Sequence, residues 1–418
     1  MQVLEGKMLK NIFYLSLVQI SNYVFPLITL PYLVRVLGAE KYGSLMLCQA
    51  LIQYFLILTD YGFNLSATKK IAIAKSQDEI DKIYSNTTYA KIFLTIASLC
   101  FLIIALYSLS MFNNLHMVSF ILFSSVVGNC LFPLFLFQGL EKMRDITWIS
   151  ILAKCVMLVS TFLLVKGSDD ITGAAAAIAF AMLIPGVIAT FYVRYYHLAR
   201  FKKTSVRDII CELKHGSSLF LSQVAISFYT TFNTILLGHY YTPTMVGYYS
   251  AADRLRAATQ SCFVPVQQVV YPRINKSGKS FSKIKHDVIT YGRYFIPLVL
   301  ILSCCIFLFG DKLALIYLGK EYMISATLFK WMSLLVLMVS LAIVIGQWGL
   351  ISLGKEKILT NIYIAGAILH CAYSIPLVKL YSVYGMLISV IVTETFITIL
   401  MLIFFILITK NNQGLKYV

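Results

Sequence analysis

The sequence predicts an all-α integral membrane protein of about twelve transmembrane helices, in two pseudo-symmetric six-helix halves around a central cavity. Three observations carry that prediction. The 418 residues are 59% hydrophobic and 13% charged, with a mean hydropathy of +0.80; a soluble domain has roughly 25% charged and 45–50% apolar residues. Twelve apolar segments each approach or exceed the ~20 residues needed to cross the hydrocarbon. Short motifs recur six segments apart.

The segments fall near residues 11–36, 42–66, 87–110, 116–140, 146–166, 172–193, 216–238, 245–271, 290–309, 325–347, 358–380 and 384–408. Hydrocarbon offers the backbone no partners, so each is a helix rather than part of an open sheet. No small-residue cleavage site follows the first, which is therefore expected to be a retained helix and not a signal peptide. The connectors 67–86 and 194–215, with the basic stretch 272–289, mix charges with apolar residues. They suit either amphipathic helices on the inner surface or solvated links. The sixth segment opens with Gly173-Ala174-Ala175-Ala176-Ala177, a run suited to close helix packing.

Leu37-Gly38 followed by Tyr42-Gly43 recurs as Leu237-Gly238 followed by Val246-Gly247-Tyr248. Gln138-Gly139-Leu140-Glu141-Lys142 recurs as Leu353-Gly354-Lys355-Glu356-Lys357, and Ile171-Thr172-Gly173 as Val383-Tyr384-Gly385. An even number of spans separates each pair, so the repeats are parallel, a transporter arrangement. The expected halves are residues 1–205 and 206–418, with no soluble domain.

The net charge is +17, and 23 of the 35 Lys and Arg residues fall on the side of the termini against six on the other. That bias puts both termini in the cytoplasm and draws anionic lipid heads. The charge is spread over short segments, which argues against nucleic-acid binding. The nine cysteines are scattered without metal-ligand spacing, so no metal site and no structural disulfide is expected. Walker A, GxSxG and HExxH motifs are absent, and no cofactor or enzymatic chemistry is implied.

Polar residues form stripes inside the spans. At 100° per residue, Gln49, Gln53, Asp60 and Asn64 of the second span fall within about a 60° arc. In the eighth, Asp253, Arg256, Gln260, Gln267 and Tyr271 share a face, with Arg254 to one side. The first presents Ser16, Gln19, Asn22 and Thr29; the seventh presents Gln223, Ser227, Thr230 and Thr234. Such groups face a cavity or a partner helix rather than lipid. Asp253 and Arg256 are spaced to pair along the helix. Arg254 is then expected to meet an anion, and guanidinium suits phosphate; the structural alternative is a salt-bridge network with Asp253 or Asp60. Glu394 and His370, near mid-span, are candidate proton or coupling-ion sites, or else inter-helix hydrogen-bond partners. Lys154 lies deep enough to be functional or paired. Lys91, Lys330 and Arg293 sit near span ends and are expected to snorkel.

Ser21-Asn22-Tyr23…Pro26-Leu27, Pro31-Tyr32-Leu33-Val34-Arg35 and Asp60-Tyr61-Gly62-Phe63-Asn64-Leu65-Ser66-Ala67-Thr68 resemble the enterobacterial O-antigen flippases (Wzx type). These belong to the polysaccharide branch of the multidrug/oligosaccharidyl-lipid/polysaccharide (MOP) exporter superfamily. Gly319…Tyr322…Ala326 and Gly354-Lys355-Glu356 fit the broader branch. The resemblance implies movement of an undecaprenyl-pyrophosphate-linked oligosaccharide from the inner to the outer leaflet, by alternating access through a cationic cavity. Tyr249-Ser250-Ala251-Ala252-Asp253-Arg254-Leu255 also resembles a segment of the peptidoglycan-precursor flippases, which implies lipid-pyrophosphate handling by Asp253 and Arg254, with Arg256 beside them. Those flippases carry further arginines in the first two spans. Here the first span has Arg35 at its outer end and the second has none, so the rest of that site does not carry over.

The expected partners are therefore the lipid-linked oligosaccharide, membrane lipids, a coupling proton or sodium ion, and an O-antigen polymerase with its chain-length regulator, at the bacterial inner membrane. A drug or cation antiporter of the same superfamily predicts an acid-dominated cavity instead. A polymerase or glycosyltransferase predicts a large external loop, and a scaffold predicts no polar stripes.

Overall fold

The computed structural model describes residues 2–276 and 281–414, and every regular element among them is helical. The chain forms two compact units, Met1–Val224 and Ala225–Val418. Unit 1 holds α1 (Gln2–Asp60), α2 (Phe63–Ile73), α3 (Gln77–Ser108), α4 (His116–Leu131), α5 (Leu134–Gly139), α6 (Met143–Leu164), α7 (Ile171–Tyr195) and most of α8 (Val206–Tyr229). Unit 2 holds the end of α8, then α9 (Phe232–Tyr240), α10 (Pro243–Ser261), α11 (Val264–Lys276), α12 (Phe281–Leu318), α13 (Met323–Ala342), a π-helical continuation (Ile343–Ile351) and α14 (Glu356–Gly414).

Two helices are far too long for one crossing. α1 and α14 have 59 residues each, or roughly 90 Å against a core of about 30 Å. Each is two spans joined at a break. Gly38 (φ 71, ψ 171) breaks α1 and Ser382 (φ 52, ψ −131) breaks α14. Gly38 needs no side chain clearance, since nothing lies within 4 Å of where a Cβ would stand; its positive φ is what calls for glycine. Among the described residues eight helices are long and apolar enough to cross a membrane, or nine if α8 and α9, bent by 41°, count as one span. The eighth expected span folds as α10 and α11, parted at Cys262-Phe263. It falls outside that group because α10 carries Asp253, Arg254 and Arg256 and α11 has only 13 residues. The protein is a multi-pass membrane protein.

The repeat seen in the letters has a counterpart in the hydrogen bonds. After α5, Leu140 N–H donates to Leu136 O, Glu141 N–H to Gln138 O and Lys142 N–H to Phe137 O. After the π-helical segment, Leu353 N–H donates to Gly349 O, Gly354 N–H to Ile351 O and Lys355 N–H to Leu350 O. Both are helix stops of the Schellman type around a left-handed residue, Glu141 at φ 56 and Gly354 at φ 70. Glu141 thus matches Gly354, two residues out of the register suggested by the sequence motifs. A second match is a tyrosine brace. Tyr32 donates to the Val165 carbonyl at 2.5 Å, and Tyr241 donates to Val378 and Lys379 carbonyls at 3.0 Å each.

Within unit 1, α4 and α7 cross with backbones in contact. A Cβ on Gly186 would overlap the Gly128 carbonyl, and one on Gly173 the Leu164 carbonyl. The Gly-Ala run serves close packing, as expected: Ala174, Ala175 and Ala177 are buried. The connectors 67–86 and 194–215 are tied to each other by hydrogen bonds. The Arg200 N–H donates to Asp81 Oδ1 at 2.9 Å and the Lys202 N–H to Ser85 Oγ at 2.8 Å. Lys70 meets both oxygens of the buried Glu212 at 2.8 and 2.9 Å. Within unit 2 the core joins α12, the π-helical segment and α14 through Phe295, Val299, Trp348, Leu359, Met401 and Phe405.

Candidate functional site

The strongest concentration of charge and buried polarity in unit 2 surrounds α10. Its first turn is set by Pro243 near the helix start, where the missing N–H costs nothing. Its buried side carries Val246, Tyr249, Ala251, Ala252 and Leu255. The small residues Ser250, Ala251 and Ala252 precede the charges, so the helix can pack closely just where Asp253 begins. Arg256 Nε donates to Asp253 Oδ1 at 2.7 Å, the expected pairing three residues apart. Arg256 is 19% exposed and Asp253 41%. Among the described residues the two terminal guanidinium nitrogens hold no hydrogen bond, which leaves those donors available. Arg254 is half-buried and already engaged within the protein.

α14, which carries Glu394, packs against α10. Next to it runs a chain of buried hydrogen bonds. Asn233 Nδ2 donates to Tyr229 O at 2.9 Å and to Tyr249 Oη at 3.4 Å. That leaves Asn233 Oδ1 as the acceptor facing His370 Nε2 at 2.8 Å, so Nε2 carries the hydrogen. His370 Nδ1 then accepts from Thr393 Oγ1 at 2.7 Å. Tyr373 closes the chain on Thr393 and on the Ser389 carbonyl. His370 is fully buried, with both ring nitrogens engaged. It braces α9 against the second limb of α14.

Unit 1 holds a second charged node. Asp60 ends α1, and the chain turns through Tyr61 (φ 44) and Gly62 (φ 79) into α2. Lys91, inside α3, is 1% exposed and lies 3.6 Å from Asp60 Oδ1. Its ammonium also donates to the Asn129 carbonyl at 2.6 Å, while Asn129 Nδ2 donates to Asp60 Oδ1 at 3.1 Å. The Asn129 carbonyl would ordinarily receive the N–H four residues on. That residue is Pro133, which has none. Lys91 supplies the missing donor. The expectation that Lys91 snorkels is corrected: a ready-made acid and an orphaned carbonyl hold it in the interior.

The remaining stripe residues divide. Gln53, Asn22, Gln223 and Thr230 are exposed. Gln49 and Lys154 are half-buried and engaged within the protein. Gln260 donates to Ser340 Oγ at 2.9 Å, with its own carbonyl oxygen buried and unbonded; Asn64 Oδ1 is likewise buried and unbonded. Gln267 is half-buried. The side chain of Gln19 lies outside the described residues. Lys330 sits over the Phe307 ring at 5.3 Å. No cluster of three or more His, Cys, Asp or Glu side chains is placed to hold a metal among the described residues. Sequence reasoning missed Asn129, Asn233, Tyr249 and Thr393, which act only through partners distant in the chain.

Residues 8–277 match the family model described as "Polysaccharide biosynthesis protein". The chain belongs to that family. The chain is 40% identical over 398 residues to a Shigella dysenteriae protein described as "Putative O-antigen transporter", covering 94% of the chain and 99% of the relative. An Escherichia coli K12 protein of the same description is 34% identical, covering 97% of each. Among solved structures, an inward-facing multidrug resistance MATE family transporter of the MOP superfamily aligns with TM-score 0.75 at 12% identity, over 96% of this chain and 99% of that one. The lipid II flippase MurJ, inward closed, aligns with TM-score 0.73 at 12% identity, over 93% and 87%. The family member therefore has the MOP fold, and its named relatives are transporters, not enzymes.

Proposed function

We propose that the protein flips undecaprenyl-pyrophosphate-linked O-antigen repeat units from the cytoplasmic to the periplasmic leaflet of the bacterial inner membrane, by alternating access, with both termini cytoplasmic. The observation that carries the reading is the half-open Asp253–Arg256 pair on a helix too polar to rank with the other spans, with Arg254 beside it. Moving a pyrophosphate and several sugars through hydrocarbon unaided is prohibitive, because each bare charge and each unbonded hydroxyl is costly. A guanidinium fork lowers that cost for the head, and the stripe amides and hydroxyls do so for the sugars. The lipid tail needs no polar path. Family membership and the names of the two curated relatives support the same substrate class.

The coupling role falls to Glu394 in this reading rather than to His370, whose two ring nitrogens are already committed. An O-antigen polymerase and its chain-length regulator are the partners such a flippase would hand its product to.

The test is translocation of a fluorescent undecaprenyl-pyrophosphate oligosaccharide in proteoliposomes. Wild type should move it, and Arg256→Ala and Arg254→Ala should move it poorly. Equal movement by all three keeps flipping but removes the arginines from the head site. No movement by folded wild type across several sugar compositions, with uptake of organic cations instead, would establish the antiporter reading.

A further inference from the structure

The tyrosine braces stand at matching places in the two units, but the charges beside them do not match. Tyr32 holds the Val165 carbonyl, and Lys166 follows in the chain. Tyr241 holds the carbonyls of Val378 and of Lys379, the residue that follows it. In unit 1 acids accompany the cation. Asp170 accepts from the N–H groups of Lys166 and Gly167, and Asp169 lies 4.0 Å from Lys41. In unit 2 the chain after Lys379 reads Leu380-Tyr381-Ser382-Val383-Tyr384. The turn between α9 and α10 reads His239-Tyr240-Tyr241-Thr242-Pro243, and neither stretch holds an acid. The acids of unit 2 on the same expected side, Asp311 and Glu321, each stand beside a lysine in the chain, Lys312 and Lys320.

Lys379 meets an aromatic ring instead. Its ammonium stands 5.0 Å from the centre of the Tyr240 ring, and His239 meets the same ring edge to face at 4.8 Å. An ammonium carries three donors and the ring lies on one side of it, so hydrogens remain for a ligand. Among the described residues Lys379 has no carboxylate within 4 Å, and neither its side chain nor that of His239 is hydrogen-bonded. His239, Tyr240 and Lys379 are all exposed. They are held in place, because the Tyr241 hydroxyl ties the turn between α9 and α10 to the Lys379 carbonyl at 3.0 Å. Leu380, Tyr381 and Tyr384 lie exposed just beyond. Exposed tyrosines beside apolar residues mark the membrane interface, which sets the ammonium at the depth of lipid phosphates.

We propose that Lys379 and His239 receive the pyrophosphate head of the lipid-linked substrate at the outer leaflet, once it has crossed. The proposal rests on the flippase reading and adds the place where the head arrives. Two donor groups flank one ring, and a pyrophosphate has one phosphate for each. A phospholipid has a single phosphate and engages one of them at a time, so the site favours the substrate over the surrounding lipid. The brace fixes the donors before the ligand comes, which spares the ordering cost that free lysines carry. Lys166, at the matching place in unit 1, has acids three and four residues on and takes no part.

The experiment is photolabelling of the full-length protein in proteoliposomes. The probe is a short-chain prenyl pyrophosphate diester with a photoreactive group beside the head, and adducts are mapped by mass spectrometry. Wild type should be labelled at residues 239–241 and 379–381. Excess unlabelled diester should suppress these adducts, and the same excess of phosphatidylglycerol should not. Lys379→Gln and His239→Ala should each raise the probe concentration for half-maximal labelling there by about two- to fivefold, the range for an exposed charge pair. Lys379→Arg should keep the labelling, and Lys166→Gln should leave it unchanged. Each substitution changes an exposed side chain, and adducts beside Arg256 report on the same samples that the protein is folded and takes the head. If adducts form beside Arg256 but not at the turn, or if Lys379→Gln labels the turn as wild type does, the landing site is overturned while the head-site reading stands. Equal suppression by phosphatidylglycerol also overturns it, leaving a general attraction for anionic lipid. If the probe labels neither place, the head-site reading fails and this inference falls with it.

Discussion

Each unit sets an acid against a base inside the bundle, and the two pairs are bonded differently. In unit 1 Lys91 is 1% exposed and its ammonium is shared between Asp60 and the carbonyl orphaned by Pro133. In unit 2 Arg256 is 19% exposed, and only its Nε is held. The first cation is consumed by the backbone. It repairs a helix end and fixes the break between α1 and α2. The second keeps donors in hand. Similar composition, an acid and a base in apolar surroundings, thus serves architecture in one place and, in the function we propose, recognition in the other, and the difference lies in what the cation's remaining hydrogens meet.

The sharpest way to break that comparison is to neutralise the acids. Asp60→Asn leaves a fully buried ammonium without its counter-ion, and breaking such a pair costs about 3–5 kcal/mol. The variant should lose much of its thermal stability in detergent, and Lys91→Met/Asp60→Asn should recover part of it. Asp253→Asn should cost far less, since Arg256 is partly open to water and Asp253 more so. Equal losses at the two sites would mean that Arg256 is as structural as Lys91.

Next in size is the effect of Arg256 on ligand. A charge-assisted hydrogen bond contributes about 1.5–3 kcal/mol, so Arg256→Ala should weaken binding of a short-chain dialkyl pyrophosphate diester by roughly tenfold to a hundredfold. Arg256→Lys should recover only part of that, because an ammonium is not a planar fork. Lys91→Met, measured at a temperature where it is folded, should leave binding unchanged. Isothermal calorimetry on the three variants checks all of this.

The tyrosine braces offer a more even match. Tyr32→Phe leaves the Val165 carbonyl without its hydroxyl partner, and Tyr241→Phe does the same for Val378. Each should cost about 1 kcal/mol, and the double variant should show the sum, since the two share no partner. A markedly larger loss for one would show that the repeat is matched in geometry but not in load.

Hydropathy made most spans legible, because exclusion of polar groups from hydrocarbon is a local property of each segment. The pairing of Asp253 with Arg256 was legible for a similar reason: three residues on one helix fix it. Lys91 was not. Counting from the end of its span put it within reach of water, while its fate was decided by Asp60 and Asn129 on other helices. The one available signal was Pro133, which removes a donor from the Asn129 carbonyl and leaves an acceptor to be satisfied. The division of the eighth span into α10 and α11 was hidden by averaging over apolar residues on both sides of Cys262-Phe263. The register of the Leu353-Gly354 turn was missed because its equivalence to Leu140-Glu141 lies in the bonding pattern, and a left-handed Glu looks like any other Glu in the letters.

The turn between α6 and α7 and the break within α14 give the smallest contrast. In unit 1, Asp170 Oδ2 accepts from the N–H groups of Lys166 and Gly167 at 2.9 Å each. These two bonds hold its carboxyl below the usual aspartate range. In unit 2 the corresponding turn runs through Tyr381-Ser382-Val383, has no acid, and relies on Ser382 at φ 52. A depressed carboxyl contributes stability that is fully present above its unfolded pKa of about 4 and is lost as pH falls through the lower folded value. Acidification below pH 4 should therefore raise amide exchange at Lys166 and Gly167, relative to intrinsic rates, and leave the Ser382 turn unaffected. Asp170→Ala should show the raised exchange already at neutral pH. The effect stays local because the carboxylate is open to water, where screening limits what an exposed charge adds to the whole fold. A parallel rise at both turns would mean that acid loosens the units by some other group, and that the Asp170 bonds merely accompany the turn.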